Sequence, residues 1–290
     1  MENALHFHNN LSLYRMKGFS FKPRLFSELQ HYNREKFAAD AMAGLIVGIV
    51  ALPLAIAFGI ASGVSPSQGI LTAIIGGFIV SALGGSRVQI GGPTGAFIVI
   101  IYGIVNDPNL GLSGLMIATM LAGVFLILLG VFRLGTIIKF IPYPIVVGFT
   151  SGIAVTIFTT QIKDLLGLSI DGKLPGDFLS KWAVYLQNLH TIDWTTAAVG
   201  LLSIIIIALT PKVSKKIPGS LVAIIVMTVG VYFLNAHTDM HVSTIGDQFG
   251  EIKASIPPLT VPNITWEGLK GLFPTAMVIA VLGAIESLLS

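Results

Sequence analysis

The sequence predicts an all-α polytopic membrane protein, with a short strand placed just ahead of a half-length helix. Three observations carry that prediction. Of 290 residues, 53% are hydrophobic and only 11% are charged, whereas a soluble domain carries roughly 25% charged residues. Mean hydropathy is +0.84. Apolar runs close to the length needed to cross a bilayer recur along the chain, and one of them is broken by Gly91-Gly92-Pro93-Thr94-Gly95. Cysteine is absent, which excludes a disulfide framework, a thiolate metal site and thiol catalysis. The basic residues are scattered between apolar runs, a pattern of membrane topology rather than of a nucleic-acid partner.

The elements follow in order. Residues 1–38 are polar and mixed, and Arg15, Lys17, Lys22, Arg24, Arg34 and Lys36 precede the first apolar run. They lack the pattern of a cleavable signal peptide, so they are expected to form a cytoplasmic segment with an interfacial helix near Phe26–Phe37. Residues 39–290 form the membrane domain. Its spans are expected near Ala41–Ala61, Gln68–Leu83, Leu112–Phe132, Tyr143–Gln161, Thr195–Leu209, Ile217–Leu234 and Leu272–Ser290. Thr94–Val105 is apolar but too short to cross alone, and it is the expected half-helix. Arg87-Val88-Gln89-Ile90 before it reads as extended. Pro93 suits the first turn of a helix, where its missing N–H costs nothing. The polar loop Lys163–Asp193 has a candidate surface helix at Pro175–Leu189. The loop Asn235–Lys270 carries Ser255-Ile256-Pro257-Pro258 and Val261-Pro262, which favour extended connections. The apolar run at Ser290 shows no terminating signal, so the chain is expected to be the N-terminal portion of a longer protein or a truncated gene product.

Charge counting sets the topology. With the N-terminus in the cytoplasm, twelve Lys and Arg residues fall inside, including Arg87, Arg133, Lys139 and Lys212. Five fall outside: Lys163, Lys173, Lys181, Lys253 and Lys270. That bias has the sign the positive-inside rule requires. Seven spans, counting the half-helix, then bring the chain outside before Leu272, so a second similar set would run inverted, as in many secondary transporters.

Few residues can carry chemistry. A half-helix that opens at membrane depth aims unpaired N–H groups and a positive dipole end at the protein interior. Thr94, Gly95 and Ala96, with Pro93, are therefore candidate ligands of an anion; a simple Gly-Pro kink is the alternative. Glu286 is the only acidic residue well inside a predicted span, and an intramembrane carboxylate is a functional candidate by default. It is suited to carry a proton or, with Ser290 one turn on, to hold a cation such as sodium; packing alone is the alternative. Phe58 is a candidate wall for the pocket, or plain core. Pro53 kinks the first span. Arg87 either draws anions to the inner mouth or anchors the span at the interface. The six histidines all lie in predicted loops, and no His-Glu-x-x-His, Walker-type loop or Gly-x-Ser-x-Gly is present. With no intramembrane His or Lys to act as base, the chain is not expected to be an enzyme, and no cofactor is implied.

Three stretches resemble one family. Ala39-Asp40-Ala41-Met42-Ala43-Gly44-Leu45-Ile46-Val47-Gly48, leading to Leu52-Pro53 and Ala61-Ser62-Gly63-Val64-Ser65-Pro66, is similar to the first-span signature of the SulP (sulfate permease) anion transporters. Gly84-Gly85-Ser86-Arg87 through Gly92-Pro93-Thr94-Gly95 resembles that family's second-to-third-span region, and Gly283-Ala284-Ile285-Glu286-Ser287-Leu288-Leu289-Ser290 the start of its eighth span. The resemblance implies a uracil-permease-like fold of 14 spans in two inverted repeats, with this chain covering the first seven-span repeat and the start of the second. It further implies a core moving against a gate, a C-terminal STAS domain and a homodimer. It places substrate between the ends of spans 3 and 10, matching Thr94, Gly95 and Ala96, and the coupling ion of sodium-dependent bicarbonate members at Glu286 and Ser290. Those members carry Asp where Glu286 stands, which favours protons; Leu54 stands where many relatives carry Gln. The expectation is an inner-membrane secondary active transporter of a small inorganic oxyanion, sulfate first and bicarbonate second, by proton- or sodium-coupled alternating access. The rivals are a nucleobase permease of the same fold and an uncoupled anion channel.

Overall fold

Local capping chemistry decides where several of the helices start. The computed structural model describes residues 23–135, 142–172, 174–214, 217–250, 252, 262 and 266–289. Helix α1 (Arg24–Leu29) is short, and α2 (Arg34–Ala61) starts anew after Asn33, whose side chain accepts from Lys36 N at 2.9 Å. The expected single interfacial helix over Phe26–Phe37 is therefore split: Asn33 sits in extended backbone and caps a new helix, so the first span begins seven residues before the apolar run. Helix α3 (Pro66–Leu83) opens with a capping box between Ser65 and Gln68 and has Pro66 in its first turn. The two helices pack at Gly59 and Gly69. A Cβ on Gly69 would lie 2.4 Å from the Ala55 carbonyl oxygen, so only glycine admits this approach.

The chain leaves helix at Gly84 and re-enters at a 3-10 turn, Gly95–Phe97, continuous with α4 (Ile98–Val105). The half-helix stands where expected, but Thr94 is its cap rather than its first residue, and Pro93 precedes the cap instead of occupying the first turn. The expected strand before it does not pair: among the described residues no β-ladder forms, because no second extended segment lies alongside to complete one.

Next come α5 (Gly111–Val131), α6 (Tyr143–Leu166), α7 (Phe178–Gln187), α8 (Trp194–Val213) and α9 (Gly219–His237). Helix α6 closes on Gly167 in the left-handed region, φ 61°, and α7 is the expected surface helix, capped by Asp177. The second long loop holds a short helix, α10 (Ile245–Phe249), opened by a Thr244–Asp247 capping box. Of its expected proline connections, Ser255–Pro258 and Val261 lie outside the described residues. Helix α11 (Trp266–Leu289) starts six residues before the expected boundary and carries Pro274 inside.

Among the described residues seven helices are long and apolar enough to cross a membrane, and Gly95–Val105 is a shorter apolar helix. The protein is multi-pass. Its packing explains how helices associate where lipid is as apolar as they are: α5 and α11 meet through small residues at helical spacing, Ala118 and Ala122 against Ala276 and Ala280, all at most 2% exposed. Ile104 from α4, Ile117 and Ala118 from α5 and Leu272 from α11 make one buried cluster, and Phe125 meets Phe273 edge-on. Helix α11 is thereby seated beside the half-helix. Helices α6, α8 and α9 pack together as a second group.

A candidate anion and cation site at the half-helix

The site is built around the break in the chain. Residues 84–94 run without helix beyond the C-terminal end of α3, and Thr94 turns the chain from extended backbone (φ −131°, ψ 143°) into the 3-10 turn. Its Oγ1 accepts from Ala96 N at 3.4 Å. Gly95 is buried, and a Cβ there would lie 2.4 Å from Ile157 Cδ1 and Cγ1 of α6. Glycine is required at this point because α6 presses on the helix start.

The same hydroxyl reaches across the fold. Thr94 Oγ1 donates to Glu286 Oε1 of α11 at 2.7 Å. Five residues earlier, Gln89 Nε2 donates to Ser287 Oγ at 3.1 Å. With the further bond from Gln89 Nε2 to the Ser287 carbonyl at 3.5 Å, these hydrogen bonds clasp the non-helical segment to the turn of α11 that carries Glu286. Glu286 is half-buried, with Oε1 as the acceptor of the Thr94 hydroxyl. Phe97 stands next to Gly283, one turn before Glu286.

The structure thus brings Thr94, Gly95, Ala96 and Glu286 together. Pro93 is exposed at the edge of the segment, and Phe58, half-buried on α2, has no polar atom to add to this cluster. Ser290 lies outside the described residues. Among the described residues no group of three or more His, Asp or Glu gathers, so a cation at Glu286 would rest on one carboxylate and neutral oxygens. Arg87 pairs with Glu28 of α1, Nε to Oε1 at 2.8 Å, both exposed, and Arg24 N donates to the Gly84 carbonyl at 3.0 Å. Helix α1 is thereby fastened to the start of the non-helical segment. Gln89 and Ser287 carry no role in the sequence reading; their one local signal is that Gln89 is the sole polar residue between Val88 and Ile90, and Ser287 the neighbour of Glu286.

The family model described as "Sulfate permease family" matches residues 37–290. The chain belongs to the sulfate permease family. YvdB of Bacillus subtilis, named as a candidate sulfate transporter, is 43% identical over 92% of this chain and 49% of its own length. The bicarbonate transporter BicA of Picosynechococcus is 31% identical over 87% of this chain and 44% of its own length. The solved transmembrane domain of a cyanobacterial BicA superposes with a TM-score of 0.71 at 28% identity, covering 88% of this chain and 64% of that one. The chain spans about half the length of the curated relatives it matches. The helical fold of the described residues is thus similar to that of the BicA transmembrane domain, and the relatives are named as transporters, not as enzymes.

Proposed function

We propose that the full-length protein is a secondary active transporter of a small inorganic oxyanion, working by alternating access. Sulfate is the leading substrate and bicarbonate the second reading. One observation carries the proposal: the start of the short apolar half-helix and a carboxylate within an apolar span share a hydrogen bond, Thr94 Oγ1 to Glu286 Oε1 at 2.7 Å. The helix start supplies N–H donors and dipole to the anion; the carboxylate supplies the seat for a coupling proton or sodium ion. Together anion and cation cross a low-dielectric region at far lower cost than either alone. Sulfate leads because the relative of 43% identity carries that name, and bicarbonate follows because BicA does, in sequence and in fold. A nucleobase would need more hydrogen-bonding side chains than Thr94, Gln89 and Glu286 provide. The proposal includes a homodimer in the inner membrane, N-terminus cytoplasmic.

The test is flux into proteoliposomes made with the full-length protein, using labelled sulfate and bicarbonate. Saturable uptake that follows a proton or sodium gradient is the expected result. Anion conductance with no dependence on either gradient would identify a channel and overturn the proposal. Glu286→Gln is expected to abolish gradient-driven accumulation in a protein that still elutes as a folded species; unchanged accumulation removes Glu286 from the mechanism.

A further inference from the structure

We infer that the single hydroxyl proton of Thr94 links the two halves of the site, so that the anion gains its side-chain donor only when a cation occupies Glu286. The inference rests on the anion-transporter reading above and adds the device by which the two ions sense each other.

A threonine hydroxyl has one proton and two lone pairs. Ala96 N–H approaches Oγ1 at 3.4 Å and takes one lone pair, and Glu286 Oε1 lies 2.7 Å away on the side where the proton is given. A hydrogen bond to a carboxylate is roughly twice as strong as one between neutral groups, so with Glu286 bare the proton is held by α11. An oxyanion arriving at the helix start then finds backbone N–H groups but no hydroxyl donor. A cation bound at Glu286 draws the carboxylate oxygens to itself. The proton of Thr94 is then free to rotate toward the anion, while the lone pair still caps Ala96. The change is a rotation about one bond of a side chain whose backbone is already fixed, by the cap at one end and by the Gly95 seat against Ile157. Gln89, bonded to Ser287 rather than to Glu286, keeps the segment in register with α11 while that proton moves. By linkage the anion must tighten the cation site by the same factor.

The distinguishing quantity is a ratio. Apparent sulfate and bicarbonate affinities of the full-length protein are measured with and without sodium at fixed pH, and with and without a proton gradient in sodium-free buffer. A coupled wild-type protein shows an enhancement of about 5–150-fold in one of the two arms. Thr94→Val keeps the β-branched shape and removes the proton. Its enhancement is expected to fall by about tenfold, the worth of one hydrogen bond to a charged partner, with the remainder due to direct attraction between the ions. Thr94→Ser restores the proton and the enhancement. A residue serving only as helix cap would weaken anion binding equally in both conditions and leave the ratio where it was. A fall of less than about threefold in Thr94→Val therefore overturns the inference, and a larger fall reversed in Thr94→Ser supports it. If the valine variant does not fold, Thr94→Ala removes the same proton with no added bulk and is read in the same way. Wild-type protein that binds neither anion sinks the transport reading itself. Wild-type protein that binds one with cation enhancement, but keeps it in both hydroxyl-free variants, sinks only the role of Thr94.

Discussion

Gly95 shows how tightly the break is held. Its missing side chain is the only reason Ile157 can sit against the helix start, since a Cβ would lie 2.4 Å from two of its carbons. Isoleucine in a helix has one strongly preferred χ1 rotamer and cannot swing aside freely. Gly95→Ala is expected to destabilise the protein by about 1–3 kcal/mol, the usual range for overpacking, seen as a lower melting temperature in detergent. Ile157→Ala in the same chain should recover most of that loss; no recovery would mean the strain lies elsewhere. The sequence offers Gly95 as a candidate anion ligand, and the structure also uses it for close approach. No local pattern could have shown this, because the pressing side chain comes from α6, more than sixty residues later.

Caps explain both what is legible in the helices and what is not. Apolar runs locate every span, because lipid demands about twenty apolar residues per crossing. Several of the helix starts are set by polar residues outside those runs. Asn33 starts α2 well before Ala41, and the Thr244–Asp247 capping box starts α10 inside what reads as a plain loop. Asp193 is the clearest case. It caps α8 by accepting from Thr195 N at 3.0 Å and Thr196 N at 3.3 Å, and it also accepts from the Thr196 hydroxyl. That hydroxyl, ahead of the backbone donors, holds its carboxyl below the usual range. A carboxyl lowered by folding adds stability above its unfolded value, near ~3.9, and loses it as pH falls through the folded value. Asp193→Ala is expected to cost about 1 kcal/mol at neutral pH. Asp193→Asn should keep most of the cap while removing this group's share of the acid sensitivity, read from melting temperatures between neutral pH and pH 3. An asparagine variant that loses stability on acidification as steeply as wild type would refute that assignment.

For the assembled chain, orientation is open to direct test. The N-terminus-inside arrangement puts Lys212, at the end of α8, in the cytoplasm and Lys181, on α7, outside. Because the chain contains no cysteine, Lys212→Cys and Lys181→Cys each introduce a unique label site in it. A membrane-impermeant maleimide applied to right-side-out cells is expected to modify the second and spare the first; the opposite pattern would invert the topology. Family and fold are legible from Gly91–Gly95 and Glu286 taken separately. Their meeting is not, since it depends on α11 packing across α5 through Ala118, Ala122, Ala276 and Ala280. That meeting also has a consequence for biogenesis. Thr94 and Glu286 are 192 positions apart, so at ~5–20 residues per second the ribosome delivers the acceptor roughly 10–40 s after the donor. Throughout that interval the nascent chain holds an unlatched polar notch within the bilayer. A translation product stalled short of codon 286 keeps it permanently, and such products are expected to be recognised and cleared by membrane proteases.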